Sequence, residues 1–153
     1  MTLKAPPYYG NPDLPPWRYD ARMPWKRVLI VWCLIVFVET VHGILRRLYL
    51  DPVIGVLNAN HIGVFVALLL IFLICLATSR WIGPRSTISW MQIGLVLALL
   101  MLAFEFALGR LLGYSWDYML ADYDPSRGGL MGLGIIGLIY APRFAARLRG
   151  TVT

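Results

Sequence analysis

Four ionisable residues lie near the end of the first long apolar segment, in the stretch VETVHGILRRLYLD. They are Glu39, His42, Arg46 and Arg47. In a helix, Glu39, His42 and Arg46 occupy positions i, i+3 and i+7, which place them on one face. Because a charge inside hydrocarbon is costly, ionisable side chains there normally face a protein interior, a partner or water. The spacing therefore predicts a polar site inside a membrane-spanning bundle.

A second polar cluster repeats the first at a constant offset along the chain. The matching pairs are Glu39 and Glu105, Gly43 and Gly109, Asp51 and Asp117, Gly63 and Gly129, and the cation-capable His61 and Arg127. Leucine-rich segments match one another by chance, so the prediction depends on the polar pairs. These pairs favour a duplicated hairpin, with two parallel copies related by an axis along the membrane normal.

The charged and imidazole side chains of both clusters are together termed the polar layer. It comprises Glu39, His42, Arg46, Arg47, His61, Glu105, Arg110, Asp117 and Arg127. If the two glutamates lie beside Arg46 and Arg110, the opposite charges neutralise each other, which lowers the cost of burying them in a bilayer. The layer would then be a structural ion-pair network. The alternatives are a proton- or ion-coupling pair, an outward-opening anion pocket and a docking surface for another subunit.

The chain contains two histidines, His42 and His61. Two imidazoles on neighbouring helices of a four-helix bundle could hold a haem or another metal centre. No third ligand is evident, and the alternative is that each histidine forms hydrogen bonds within the polar layer. No nucleophile elbow, HExxH, Walker loop, GxGxxG or CxxC motif occurs. The sequence therefore provides no catalytic residues and no support for an enzyme.

Glycines at small-residue spacing are predicted to let the helices approach closely, since packing drives helix association in lipid. The predicted packing glycines are Gly43, Gly109, Gly113, Gly128 and Gly132. The four-residue spacing of Gly109 and Gly113, and of Gly128 and Gly132, favours contact between the third and fourth spanning helices. A seam between two copies of the chain is the alternative.

Composition identifies the elements that must position these residues. The 153-residue chain is 59% hydrophobic and 14% charged, whereas a soluble domain carries about 25% charged residues. The apolar residues form long runs, which predicts an all-α membrane protein with four transmembrane helices in one bundle over residues 25–148. The predicted spans are about 25–47, 61–78, 88–112 and 125–141, between an extended, Pro- and aromatic-rich cytosolic arm at 1–24 and a tail at 149–153.

Capping residues and prolines determine the predicted helix starts. Asp51 and Asp124 each precede a proline, and this order is typical of an N-cap followed by proline in the first helical position. Asn58 and Asn60 are the candidate caps of the second spanning helix. A short amphipathic piece is expected before that helix.

Basic residues are unevenly distributed between the two sides of the predicted bundle. Five lie before the first span or in its first turn, two lie between the second and third spans, and three follow the fourth. The opposite loops hold Arg46, Arg47, Arg110 and Arg127. By the positive-inside rule, both termini lie in the cytosol and the polar layer lies near the outer face. The net charge of +6 is therefore expected to meet lipid headgroups rather than nucleic acid.

The segments ETVHGILR and FEFALGR…SWDYMLADYD…RGGL resemble those of small four-helix bacterial inner-membrane proteins. The resemblance covers about residues 25–148 and implies the topology and a place in the bacterial inner membrane. It implies no activity, because none is attached to that group.

Two functional hypotheses follow from the sequence. The first is a non-enzymatic subunit or accessory factor of a membrane complex, surrounded by lipid and assembled as a homo-oligomer or within a larger complex. The alternative is a small ion, proton or anion channel or transporter. That alternative requires an oligomer, because four helices alone rarely enclose a pore.

Overall fold

The computed structural model describes residues 23–83 and 86–152, and over these residues the chain is helical and contains no strand. Most of the arm predicted at 1–24 lies outside the described residues. The elements in chain order are α1 (Trp25–Leu45), a π-helical turn (Arg46–Leu50), α2 (Asp51–Ile54), α3 (Val56–Ile82), α4 (Thr87–Leu111), α5 (Trp116–Ala121), a 3₁₀ turn (Pro125–Arg127) and α6 (Met131–Leu148).

Four helical segments are long and apolar enough to cross a membrane. The first combines α1, the π-helical turn and α2 into one 30-residue run, and the others are α3, α4 and α6. The shortest, α6, has 18 residues, which at 1.5 Å per residue reach about 27 Å, close to the thickness of the hydrocarbon core. The prediction of an all-α, four-helix membrane protein is confirmed.

The first two helix boundaries differ from those predicted from the sequence. The first helical run does not end near residue 47, and Asp51 lies within it rather than capping a new helix. The break comes instead at Gly55, whose φ of 80° is a conformation that glycine adopts readily. Helix α3 therefore begins at Val56, and Asn58 and Asn60 lie in its first turns instead of forming caps.

The last spanning helix is displaced toward the C-terminus. Asp124 and Pro125 do form a cap and first position, but they begin the 3₁₀ turn rather than the spanning helix. Helix α6 begins at Met131 and continues through Pro142 to Leu148. The ring of Pro142 is buried, so packing holds this turn helical despite the missing N–H.

Helix α6 packs against both α3 and α4, and α1 packs more extensively against α3 than against α4. Two glycines permit the closest approaches. A side chain at Gly94 of α4 would overlap the backbone carbonyl of Ile139 in α6, and one at Gly137 of α6 would overlap Leu68 of α3. The contact between the third and fourth spanning helices is thus present, but Gly94 produces it.

None of the five predicted packing glycines forms this crossing. Gly43 and Gly132 face open space, whereas Gly109 is a packing glycine, but against Met119 of α5 rather than against α6. Gly113 and Gly128 are turn residues with φ of 83° and 82°. Spacing alone did not identify the crossing, because it does not show which face of a helix meets its neighbour.

The buried apolar residues lie in one half of the bundle, here termed the packed half. It contains the start of α1, the end of α3, the start of α4 and the end of α6. Its buried members are Val28, Val31, Ile35, Ile71, Cys75, Ile82, Trp90, Ile93, Leu97, Ala98, Met101, Leu138, Ala141, Ala145 and Ala146. The opposite half, termed the cavity half, contains the other helix ends, α2, α5 and the loop between α4 and α6.

Candidate functional site

A cavity of about 580 Å³ occupies the cavity half. Helices α1, α3, α4 and α6 form its walls, and the loop between α4 and α6 covers it. Its floor consists of Ile71, Met101 and Leu138, which are buried and belong to the apolar core. The cavity is therefore closed toward the packed half.

Most of the polar layer faces this cavity. Six of its nine members belong to the lining, namely Glu39, His42, Arg46, Arg47, Glu105 and Arg127. His61, Arg110 and Asp117 lie outside the lining. The sequence thus placed both glutamates in one site, although their partners differ from those predicted.

Glu39 lies one helical turn below His42 on α1. Its Oε2 is 3.3 Å from Nδ1 of His42, and 11% of its side chain is exposed. Its second oxygen, Oε1, is buried and has no hydrogen-bond partner among residues 23–83 and 86–152. A buried acceptor without a donor is costly, since the protein–water hydrogen bonds of the unfolded chain are lost without replacement. Within the part of the chain described, Glu39 thus has a buried acceptor atom that lacks a donor.

Glu105 of α4 accepts a hydrogen bond from the loop that covers the cavity. The hydroxyl of Tyr123 donates to Oε2 of Glu105 at 2.6 Å. The Tyr123 ring stacks on Phe106, with centroids 5.8 Å apart. Burial, and then the neighbouring Glu105 carboxylate, raise the pKa of Tyr123. The hydroxyl therefore stays protonated and remains a donor to Glu105 at neutral pH.

The arginines pair with other groups, so the predicted Glu–Arg network is wrong for the part of the chain that the structure describes. Arg46 donates to Oδ1 of Asp51 at 3.0 Å and to Oδ1 of Asn60. Arg46 pairs with Asp51 because the helical run continues past Arg46 and brings Asp51 next to it. Glu39 and Arg46 are separated by seven positions, about 10 Å along the helix axis.

The other two arginines near the cavity mouth bind loop groups. Arg47 donates to the hydroxyl of Tyr114 at 3.2 Å. Arg110 donates to the backbone oxygen of Tyr114 at 2.7 Å, and its guanidinium lies 5.3 Å from the centre of the Trp116 ring. These contacts tie α1 and α4 to the loop and leave the glutamates without a guanidinium partner.

Of the three aspartates in the loop, Asp122 lines the cavity, and Asp117 and Asp124 lie outside the lining. Partial burial raises the pKa of Asp122, and the nearby positive charges of Arg46 and Arg47 oppose that shift. Arg127 forms long ion pairs with Asp117 at 3.4 Å and with Asp124 at 3.5 Å. The mouth therefore contains charges of both signs, in contrast to the two carboxylates deeper in the cavity.

The two histidines have separate partners. His42 contacts Glu39 in the cavity wall, whereas Nε2 of His61 donates to the backbone oxygen of Gly128 at 2.8 Å. Over the described ranges, no group of three or more His, Cys, Asp or Glu side chains is placed to hold a metal ion. The arrangement does not support a haem held between the two imidazoles.

Part of the cavity lining is exposed. Its exposed apolar residues include Ile44 on α1, Leu57 on α3, Leu108 on α4 and Leu112, which follows α4. Along α4 and its C-cap, the lining extends from Met101 to Leu112, about 16 Å along the helix axis. A narrow molecule of that length can lie in the cavity with one end on the apolar floor.

Sequence reasoning missed three contributors to the site. Asn60 shares one face of α3 with Gly63 and Ala67, at i, i+3 and i+7, and this small, polar face was a usable signal. Asp51 was assigned to a cap, although it lies five positions after Arg46. Tyr123 lies in an irregular loop, which has no periodicity that could reveal an inward orientation.

No protein family, curated protein or solved structure matches this chain. The geometry of the cavity is therefore the basis for a functional assignment.

Proposed function

We propose that this multi-pass membrane protein binds a small amphipathic molecule in its cavity and acts as a non-enzymatic accessory factor through that binding. One observation carries the proposal, namely a cavity closed at an apolar floor and lined partway up by two carboxylates. Its volume of about 580 Å³ is within the usual range for small-molecule sites, about 300–1,000 Å³. The floor suits an apolar tail, and the carboxylates suit a polar head.

Exposed apolar residues in the lining support entry from the bilayer. Because Ile44, Leu108 and Leu112 are apolar and exposed, a lipid-soluble molecule can pass them without losing its apolar surroundings. An accessory factor of this kind holds its ligand within the membrane for a partner complex or a second copy of the chain.

The proposed setting is the bacterial inner membrane, with both termini in the cytosol. The excess of basic residues on the side of the termini supports this orientation, which places the cavity in the outer half of the bilayer. The shared position of Glu39 and Glu105 in one lining supports the proposed duplication. A channel within one chain is less well supported, because Trp90 and the rest of the apolar core lie across its path.

Photolabelling tests the proposal. The probe is a long-chain alkanol with a terminal diazirine, added to the protein in lipid nanodiscs, and labelled peptides are mapped by mass spectrometry. We expect label on the floor residues Ile71, Met101 and Leu138. Gly43→Leu should block this labelling, because Gly43 lines the cavity and faces open space that the new side chain would fill.

Gly132→Leu is the matched control. Gly132 also lies in a spanning helix and faces open space, but it does not line the cavity. Floor labelling should therefore persist in Gly132→Leu. Label confined to lipid-facing residues such as Phe65 and Leu99, with no difference between the two variants, would refute the binding proposal.

A further inference from the structure

The two carboxylates of the cavity have too few donors for their number of oxygen atoms. Glu39 and Glu105 both line the cavity, Glu39 from α1 and Glu105 from α4. Within the described residues, Glu105 accepts a hydrogen bond from one neutral hydroxyl, that of Tyr123, and Glu39 contacts one imidazole, that of His42. Oε1 of Glu39 is buried without a partner. The pair therefore has unused capacity to accept hydrogen bonds.

The nearest guanidiniums do not satisfy this capacity. Arg46 is bound by Asp51 and Asn60, and Arg47 by Tyr114. The side chains of Arg46 and Asp51 are only 15% and 17% exposed, so this pair is held in place by its surroundings. Moving Arg46 toward the glutamates would leave a partly buried Asp51 unpaired, which is strongly unfavourable.

We propose that Glu39 and Glu105 form the head-group subsite of the cavity and select an amphiphile with an ammonium head. This inference rests on the proposed function, since it assumes that the cavity binds an amphipathic molecule. Two carboxylates in a medium of low dielectric repel each other, and a cation between them removes that repulsion. An ammonium group also supplies three donors to the pair.

Other head groups fit less well. A hydroxyl supplies one donor and no charge, so it leaves the repulsion between the carboxylates in place. A carboxylate head would add a third negative charge to the same layer. The order of affinity should therefore be alkylamine, then alkanol, then alkanoate, when the apolar tails are identical.

The test uses three photoprobes with the same tail and terminal diazirine, and with amine, hydroxyl or carboxylate heads. At neutral pH and equal concentration, the amine should label the floor residues Ile71, Met101 and Leu138 about tenfold more efficiently than the alkanol, as expected for a charge-assisted hydrogen bond. Glu39→Gln and Glu105→Gln should each abolish this preference. Asp117→Asn removes a carboxylate outside the cavity and should preserve it.

Labelling by the alkanol probe reports whether each variant retains a cavity. If a Gln variant is labelled by neither the amine nor the alkanol, the ratio of amine to alkanol labelling in the wild type decides the inference. Equal labelling by amine and alkanol in the wild type would overturn the subsite and leave the proposed function intact. Absence of floor label with all three probes would overturn both. Nanodiscs with and without phosphatidylethanolamine distinguish a lipid head group from a free amine as the source of the ammonium. If the site takes the lipid head group, phosphatidylethanolamine should compete with the amine probe and reduce its labelling. If the site takes a free amine, labelling should be the same in both kinds of nanodisc.

Discussion

The same four spanning helices form both halves of the bundle, yet they meet differently in each. In the packed half, Gly94 brings the backbones of α4 and α6 into contact, and Trp90 and Ala145 are fully buried. In the cavity half, Gly43 faces empty space and Oε1 of Glu39 lacks a partner among the residues described. Small residues therefore close a helix crossing only where a neighbouring helix lies directly against them.

This difference assigns stability mainly to the packed half and ligand binding to the cavity half. Helix association in lipid depends on van der Waals packing, so most of the tertiary stabilisation should come from the packed half. The cavity half is held by the covering loop and by ion pairs at its rim, such as Arg46 with Asp51. Changes of the same chemical type should therefore have unequal effects in the two halves.

The largest difference in the free energy of unfolding is expected between leucine substitutions at two glycines. Gly94→Leu forces a side chain into the backbone of Ile139 and should reduce the free energy of unfolding by about 3 kcal/mol or more, since α4 and α6 must separate. Gly43→Leu fills open space and removes a helical glycine, so it should be neutral or stabilising by up to about 1 kcal/mol. Thermal unfolding in mild detergent measures both. Similar losses in the two variants would contradict the division of the bundle.

A smaller difference in the free energy of unfolding is expected between alanine substitutions of two aspartates at equivalent positions of the proposed repeat. Asp51→Ala leaves Arg46 partly buried without its carboxylate partner and should cost about 3 kcal/mol. The side chain of Asp117 is 87% exposed in its pair with Arg127, so Asp117→Ala should cost about 0–1 kcal/mol.

Arg46→Ala completes a double-mutant cycle with Asp51→Ala. Their combined loss of stability should be smaller than the sum of the single losses, because both changes remove the same pair. Additive losses would show that Arg46 and Asp51 act independently, and that the rim of the cavity is held by other contacts.

The sequence was sufficient to predict the four helices and the placement of both glutamates in one site. Long apolar runs identify spanning helices, and Glu39 and Glu105 are conspicuous because each interrupts such a run. Both properties depend on local order along the chain, which hydropathy and helical spacing describe well.

The partners of the polar residues could not be predicted in the same way. The pairing of Arg46 with Asp51 depends on a π-helical turn that continues the first helix, whereas Asp51-Pro52 favours a new helix start. The contact of Glu105 with Tyr123 depends on the fold of an irregular loop. Both pairings are determined by tertiary packing. The residues adjacent in sequence carry little information about that packing.

The covering loop of the cavity half contains a local turn with its own pH dependence. Oδ1 of Asp124 accepts hydrogen bonds from the backbone N–H of Ser126 at 2.9 Å and from its hydroxyl at 2.7 Å. These bonds favour the carboxylate, and they lower the pKa of Asp124 below its ordinary value of 3.8. For an acid with a lowered pKa in the folded state, the stabilisation is present above 3.8 and is lost as the pH falls through the folded value.

Asp124→Ala should therefore lower the melting temperature at neutral pH by a small amount, and the difference from wild type should shrink as the pH is reduced below 3.8. Ser126→Ala keeps the backbone donor but removes the hydroxyl, so its effect at neutral pH should be smaller than that of Asp124→Ala. Melting temperatures of the three proteins, measured in one detergent across this pH range, check the order. A difference between wild type and Asp124→Ala that stays constant with pH would show that the carboxylate charge does not stabilise the turn.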